Sequence, residues 1–479
     1  MKSNKITSSR DFFLTDNYIM KNKLFLAVLL VIFLVFAGNT VFAQTVSAST
    51  LSIIEEVLRH LDNFNYNEAI ALFDTIAPED AENTRIRIVK ASVLNTAGEY
   101  NDARRLVQDI LSSEPENQDA LVLLSVIESA AGRQREQITI LENIVSANPG
   151  SAEALADLGN AHLQTRSWRN AVPYFNRALE IDAGNLNALI GMATFYRLSR
   201  DPGNAEAMLN QAVSHHPDSA IPYHERARLY KGFGFTIQAV EDLERARDRD
   251  SEDYWIAIDL GNAYLDMYRK EDAFLEFDRA TRINPREFLA FAYTAGMKDE
   301  FGDYDGAERD YILLASLNPE YYFAFEGIGM HQMRRGEWAG ARDAFMEAFR
   351  QAPTEYNYAL LAAINWMRAE SVTSPRQYIN QAMTRMDRNS MMFHMFRLFF
   401  DLSGHVFNGE NDMLQRISRE ENNEIKARML FYIAQYYDVR NNENLANRYY
   451  FQFRELNQQH LIEWRLNEWI MASRNLIAN

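Results

Sequence analysis

The chain has no cysteine among its 479 residues. That absence excludes disulfides, thiolate metal ligands, a thiol nucleophile and a cysteine for lipid attachment. Cationic charge is also short, with 49 lysines and arginines against 66 aspartates and glutamates. Residues 1–43 hold five of the basic and two of the acidic residues, so the remainder carries 44 against 64, a net charge of −20. Such a surface repels nucleic acid, whose affinity for proteins comes mainly from cations on phosphate, and it disfavours anionic lipid. Catalytic signatures are missing as well: there is no P-loop, nucleophile elbow or HExxH, so neither an enzyme nor a cofactor is expected.

Long apolar runs are scarce, and residues 24–37 stand out for that reason. Lys21 and Lys23 precede the run, and Val41-Phe42-Ala43 offers slender residues where a signal peptidase reads. These features predict a secretory signal within residues 1–43, cleaved after Ala43, and a periplasmic mature chain. The alternative is an uncleaved inner-membrane anchor, since the 20 residues 24–43 just suffice to span a bilayer. Membrane contact is expected only through this segment, if it stays uncleaved. Met20, directly before the lysines, reads as a better start than Met1. An exported chain without disulfides must take its stability from packing.

Proline is rare too, yet six of eleven fall on one grid: Pro115, Pro149, Pro217, Pro285, Pro319 and Pro353 are separated by 34, 68, 68, 34 and 34 residues. A fixed period of this length means one supersecondary unit copied along the chain. Nine units starting 31 residues before each grid position run through residues 50–355 without insertion or deletion. Their eighth place is small in eight of nine (Ala91, Ser125, Gly159, Ala193, Ala227, Gly261, Ala295, Gly329), and their twentieth is Ala in all but one (Ala69, Ala103, Ala171, Ala205, Ala239, Ala273, Ala307, Ala341). Two helices joined by a short turn approach closely only where side chains are small, so these places mark the seam between helix A and helix B. The twenty-fourth place is always apolar, as in Phe73, Phe175, Phe277 and Phe345, and builds a stripe that buries against the next unit. Glu276 reads as an outward position. Proline then closes helix B, having no N–H to continue the ladder.

At these residues the chain resembles the tetratricopeptide repeat (TPR) family. The resemblance covers residues 50–355 strongly and implies an all-α fold, a right-handed solenoid of about 10 to 12 helix-turn-helix units. Residues 356–457 read as degenerate units, with Ala363, Ile379 and Ala382 kept, Pro375 at a seam place, and the pattern restored from Ala427. Residues 458–479, with Ile462, Leu466, Trp469 and Ile470 at helical spacing, read as a capping helix over the last apolar face. No linker divides the array, which reads as one elongated domain.

The resemblance further implies a protein-protein interaction scaffold whose helix A residues at places 2, 5, 9, 12 and 13 line a concave, peptide-binding face. Those places hold a polar set in mid-array, including Asn160, Gln164, His224, Arg228, Lys231, Trp255, Asn262 and Asp266. Farther along they turn apolar, with Phe323, Met330, Met333, Leu360, Ile364 and Met367. Family members that grip a C-terminal carboxylate carry lysine at place 5 and asparagine at place 9. Asn160 fits, but Ala156 stands where that lysine belongs. Twelve of eighteen methionines lie in residues 330–471, and methionine adapts to irregular partners. The apolar strip therefore suits an amphipathic partner segment, unless the chain's own C-terminal helix fills it or it is simply the core of irregular repeats. The expected partner is another envelope protein or peptide. A cell-wall or outer-membrane assembly role, with glycan held by Tyr254, Trp255 and Asp259, is the competing reading. No metal is expected: His215 and His216 are adjacent at a helix end and diverge, with His224 nearby, and Asp303-Tyr304-Asp305-Gly306 fits a helix turn rather than a calcium loop.

Overall fold

A computed structural model describes residues 46–402 and 409–477, and the signal segment expected within residues 1–43 lies outside these. The described residues form 26 α-helices, a single 3-10 turn and no strand. None of these helices is long and apolar enough to cross a membrane. The chain divides into two compact units between Ser251 and Glu252.

In the first unit, helices A occupy Thr84–Thr96, Gln118–Ala130, Ala152–Gln164, Leu186–Leu198 and Ala220–Gly232, each beginning 34 residues after the one before. Helices B follow at Tyr100–Ser113, Gln134–Ala147, Trp168–Ile181, Pro202–His215 and Thr236–Arg249, on the same spacing. Two local signals hold this register. The side chains of Asn83, Asn117, Ser151, Asn185 and Ser219 each accept a backbone N–H at the start of a helix A. A polar cap thus recurs once per unit, satisfying donors that the helix itself cannot. At the A-to-B turn Phe64, Gly98, Gly132, Arg166, Arg200 and Gly234 all take positive φ, which reverses the chain in the fewest residues.

Packing follows from the small residues. Ala69, Ala103, Ala171, Ala205 and Ala239 have no exposure at all. Gly159 shows why nothing larger fits beside Phe175, since a Cβ there would lie 2.5 Å from the ring, and Gly191 of the next helix A lies as close to the same ring. The first helix pair departs from the pattern. Ala48–Asp62 is regular, but its partner Tyr66–Leu72 tightens into a 3-10 turn at Phe73–Thr75.

The second unit continues the period with helices A at Tyr254–Asp266, Phe288–Phe301, Tyr322–Arg335 and Tyr356–Ala369, and helices B at Lys270–Ile283, Tyr304–Leu317 and Trp338–Gln351. Tyr268, Gly302 and Gly336 keep the positive φ of the turn. Asp253 caps its helix by side chain, whereas Glu287, Tyr321 and Glu355, at the equivalent place, do not. Pro375 sits at the N-cap of Arg376–Met383 and leaves that helix B only eight residues long. The remaining helices are Met391–Leu402, Gly409–Arg419, Asn423–Val439, Glu443–Glu455 and Ile462–Ser473, with Asn441 restoring the positive-φ turn.

Glu276, outward by its sequence pattern, faces inward in the structure. Glu276 is buried and pairs with Arg279 at 2.6 Å. Asp242 and Asp310, at the same place of the flanking repeats, are buried too, held respectively by Arg226 at 2.6 Å and by Lys298 and Thr294 at 2.7 Å. Each lies on helix B and is paired, as a buried carboxylate left without a partner costs several kcal/mol.

Candidate protein-interaction surface

The helix A face of the first unit keeps the polar character that its sequence suggests. Asn160 and Arg228 are half-buried and Gln164 is exposed, while Lys231 is half-buried one turn beyond Arg228. Asn160 lies against Gly191 of the next helix, and Arg228 leans on Glu225 with Nη1 3.4 Å from Oε1. His224 is buried, and His216 turns its Nε2 to within 2.6 Å of the Gly184 carbonyl. These histidines serve packing and the loop.

In the second unit Trp255 and Asn262 are half-buried on Tyr254–Asp266. The Asn262 amide donates to its own helix at Ile258 O, 3.0 Å away. Tyr254 is not an exposed sugar platform. It is 2 % exposed, and its hydroxyl accepts the Ala290 N–H at 3.2 Å, so the aromatic pair proposed to stack on glycan is half withdrawn into the core.

The apolar strip differs more sharply from an open groove. Phe323 remains half-buried against Tyr322, with ring centroids 4.1 Å apart. Met330, Met333, Leu360, Ile364 and Met367 are all buried, in one continuous core with Phe431, Ile433, Leu466 and Met471. The strip is therefore no open groove but part of one buried core shared by its own repeats and by helices Asn423–Val439 and Ile462–Ser473. Polar contacts fix that arrangement. Arg368 donates to Gln435 at 2.8 Å, and the buried Gln435 donates to Tyr450 at 2.8 Å. Glu463, fully buried, accepts the Tyr432 hydroxyl at 2.8 Å and faces Arg428 at 3.5 Å. Burial, and then the Glu463 charge, push the Tyr432 phenol well above the ordinary tyrosine range, so it remains a donor.

A second cluster was not anticipated. Asp299 is buried at the end of Phe288–Phe301 and accepts the Tyr311 hydroxyl at 3.0 Å. His331 Nε2 lies 2.9 Å from its other oxygen, and Arg465 Nη1 of the C-terminal helix lies 2.7 Å from the oxygen that Tyr311 bonds. Beside this acid, Trp469 packs edge-on to Tyr304 at 5.2 Å and against His331 at 5.4 Å, with the Arg334 guanidinium 4.7 Å from the Tyr304 ring. Burial and then the Asp299 carboxylate push Tyr311 well above its usual range. Repeat consensus carries no trace of these residues. The visible sign was Arg465 and Trp469 standing four apart on the capping helix, hence on one face.

Paired helices on a 34-residue period, with small residues at the seam and an apolar stripe toward the next pair, define a helix-hairpin repeat array. That is the architecture of the tetratricopeptide repeat. The family described as Psidin, N-terminal TPR repeats region, matches residues 54–173. Human Superkiller complex protein 3 is 29% identical over 104 residues, which is 22% of this chain and 7% of that much longer protein. Among solved structures, a tetratricopeptide repeat protein from Parabacteroides merdae is 20% identical, with 52% of this chain and 99% of that one covered and a TM-score of 0.40. PilF of Pseudomonas aeruginosa is 19% identical, with 43% and 94% covered and a TM-score of 0.38.

Proposed function

We propose that this protein is a non-catalytic adaptor of the bacterial cell envelope, exported to the periplasm, which holds a segment of another envelope protein against the helix A face of residues 152–231. One observation carries the choice of surface. Asn160, Gln164, Arg228 and Lys231 remain at least partly open to solvent, whereas the corresponding places in residues 322–369 are filled by the chain's own helices. A mixed polar face with two cations favours an extended segment bearing carboxylates and amides, because each buried polar group on the partner needs a matching one here.

Photocrosslinking groups at Gln164 and Lys231, introduced in the native host, should each trap the same envelope protein, while one at Met367 should trap none. Equal trapping at all three positions would remove the assignment. The compartment is tested separately. N-terminal sequencing of the host's protein should begin at or near Gln44, and recovery of residues 24–37 in the membrane fraction would establish the anchored form instead.

A further inference from the structure

The C-terminal helix Ile462–Ser473 has two unlike edges. Glu463, Leu466, Asn467 and Met471 are buried; Glu463 bonds Tyr432, and the Asn467 amide lies 3.5 Å from Tyr450 O. That edge secures the helix to residues 423–455. The other edge carries Arg465 and Trp469, and both keep contact with water: the Arg465 side chain is 38% exposed and Trp469 is half-buried. What they touch is assembled without them. Tyr311 donates to the Asp299 carboxylate from the same repeat, His331 lies 2.9 Å from its other oxygen, and Tyr304 with Arg334 forms a cation-lined aromatic wall next to it. The contact therefore resembles a ligand in a preformed site more than a core, since its removal leaves the acid still bonded and the apolar anchor of the helix intact.

We propose that residues 299–334 form a recognition site for an amphipathic helix presenting arginine and tryptophan four residues apart, and that the chain's own Arg465 and Trp469 occupy it as an internal ligand. Arginine supplies the forked cation for a buried carboxylate, which lysine cannot match in geometry, and indole supplies the edge and face that Tyr304 and His331 accept. A partner helix with the same pair competes with a tethered one whose effective concentration is on the order of millimolar, so occupancy in cis weakens capture in trans by roughly 10²- to 10³-fold for a micromolar ligand. The site is separate from the polar face proposed above, and either assignment can fail alone.

The test uses the full chain and a fluorescently labelled peptide of residues 459–477, read by anisotropy. Wild type should show no saturable binding at micromolar peptide. Arg465→Ala with Trp469→Ala should vacate the site and bind the peptide at least 100-fold more tightly than wild type does. Adding Arg334→Ala, at an exposed residue, should weaken that binding about tenfold, and a peptide carrying the same two alanines should not bind. Failure of the vacated variant to bind while its helix content and thermal midpoint match wild type would overturn the proposal. So would equal binding by wild type and variant, or loss of the fold in the variant, which would make the two residues structural cement rather than a ligand.

Discussion

Tyr268 is 83% exposed at φ 60°, a conformation in which a side chain crowds the following carbonyl. Glycine stands at the same place in five other units, at positions 98, 132, 234, 302 and 336. Since Tyr268 packs against little, Tyr268→Gly should raise stability by up to ~1 kcal/mol, the left-handed penalty less the entropy that glycine adds to the unfolded chain. Chemical denaturation reads this as a higher midpoint at unchanged slope. The opposite sign is expected five residues on. Ala273 has no exposure at the seam, so Ala273→Leu should destabilise by about 1–3 kcal/mol through overpacking. Glu271→Leu, at an exposed site on the same helix, should change the midpoint little, and equal midpoints for the two leucine variants would contradict the assigned seam.

The element scale separates what was legible from what was not. Helix starts on a 34-residue spacing followed directly from the positions of Ala103, Ala171 and Ala205, because a steric requirement repeated once per unit leaves a periodic mark. The caps at Asn83, Asn117 and Ser151 left one also. Asp299 with Arg465, or Tyr432 with Glu463, left none, since each joins places that occur once and lie far apart in sequence. Whether Met333 and Met367 face water depended on those same distant elements, so their hydrophobicity announced a covered surface without naming the cover. Contacts of this unrepeated kind also secure the first helix. Asp80 accepts from Ser47 Oγ at 2.5 Å, from Thr50 Oγ1 at 2.7 Å and from the Ser47 N–H at 3.0 Å. These bonds, that from Ser47 Oγ foremost, hold its carboxyl below the ordinary value of 3.8. A carboxyl lowered in the folded state contributes stability above its unfolded pKa of about 3.9 and loses it as pH falls through the lower folded value. Exchange protection of amides in Ala48–Asp62, corrected for intrinsic rates, should therefore decline below about pH 4. In Asp80→Asn it should be low already at pH 7 and vary little on acidification; a wild-type profile in that variant would show the cap to be dispensable.

At the scale of the whole molecule, a tandem array sums the stability of its units and their nearest-neighbour interfaces, so damage is expected to stay within the unit that suffers it. The C-terminal unit makes this testable because its apolar strip is closed by its own chain. Met333 and Met367 are each 4% exposed, within the core that also contains Phe431 and Leu466. In an open groove, glutamates at both positions would hydrate and leave the fold intact. Beneath the C-terminal helices each carboxylate instead loses its water and gains no partner, at an effective cost of several kcal/mol per ion. Two such costs rival the ~5–15 kcal/mol that holds a typical domain together. Met333→Glu with Met367→Glu should accordingly strip exchange protection from residues 322–477 while helices in residues 84–249 retain theirs. The paired control, Gln164→Glu with Lys231→Glu on the polar face, should preserve protection throughout. Protection of residues 322–477 at wild-type levels in the methionine variant would mean that the C-terminal helices do not cover the strip in solution, and the methionine face would then rejoin the polar one as a surface for partners.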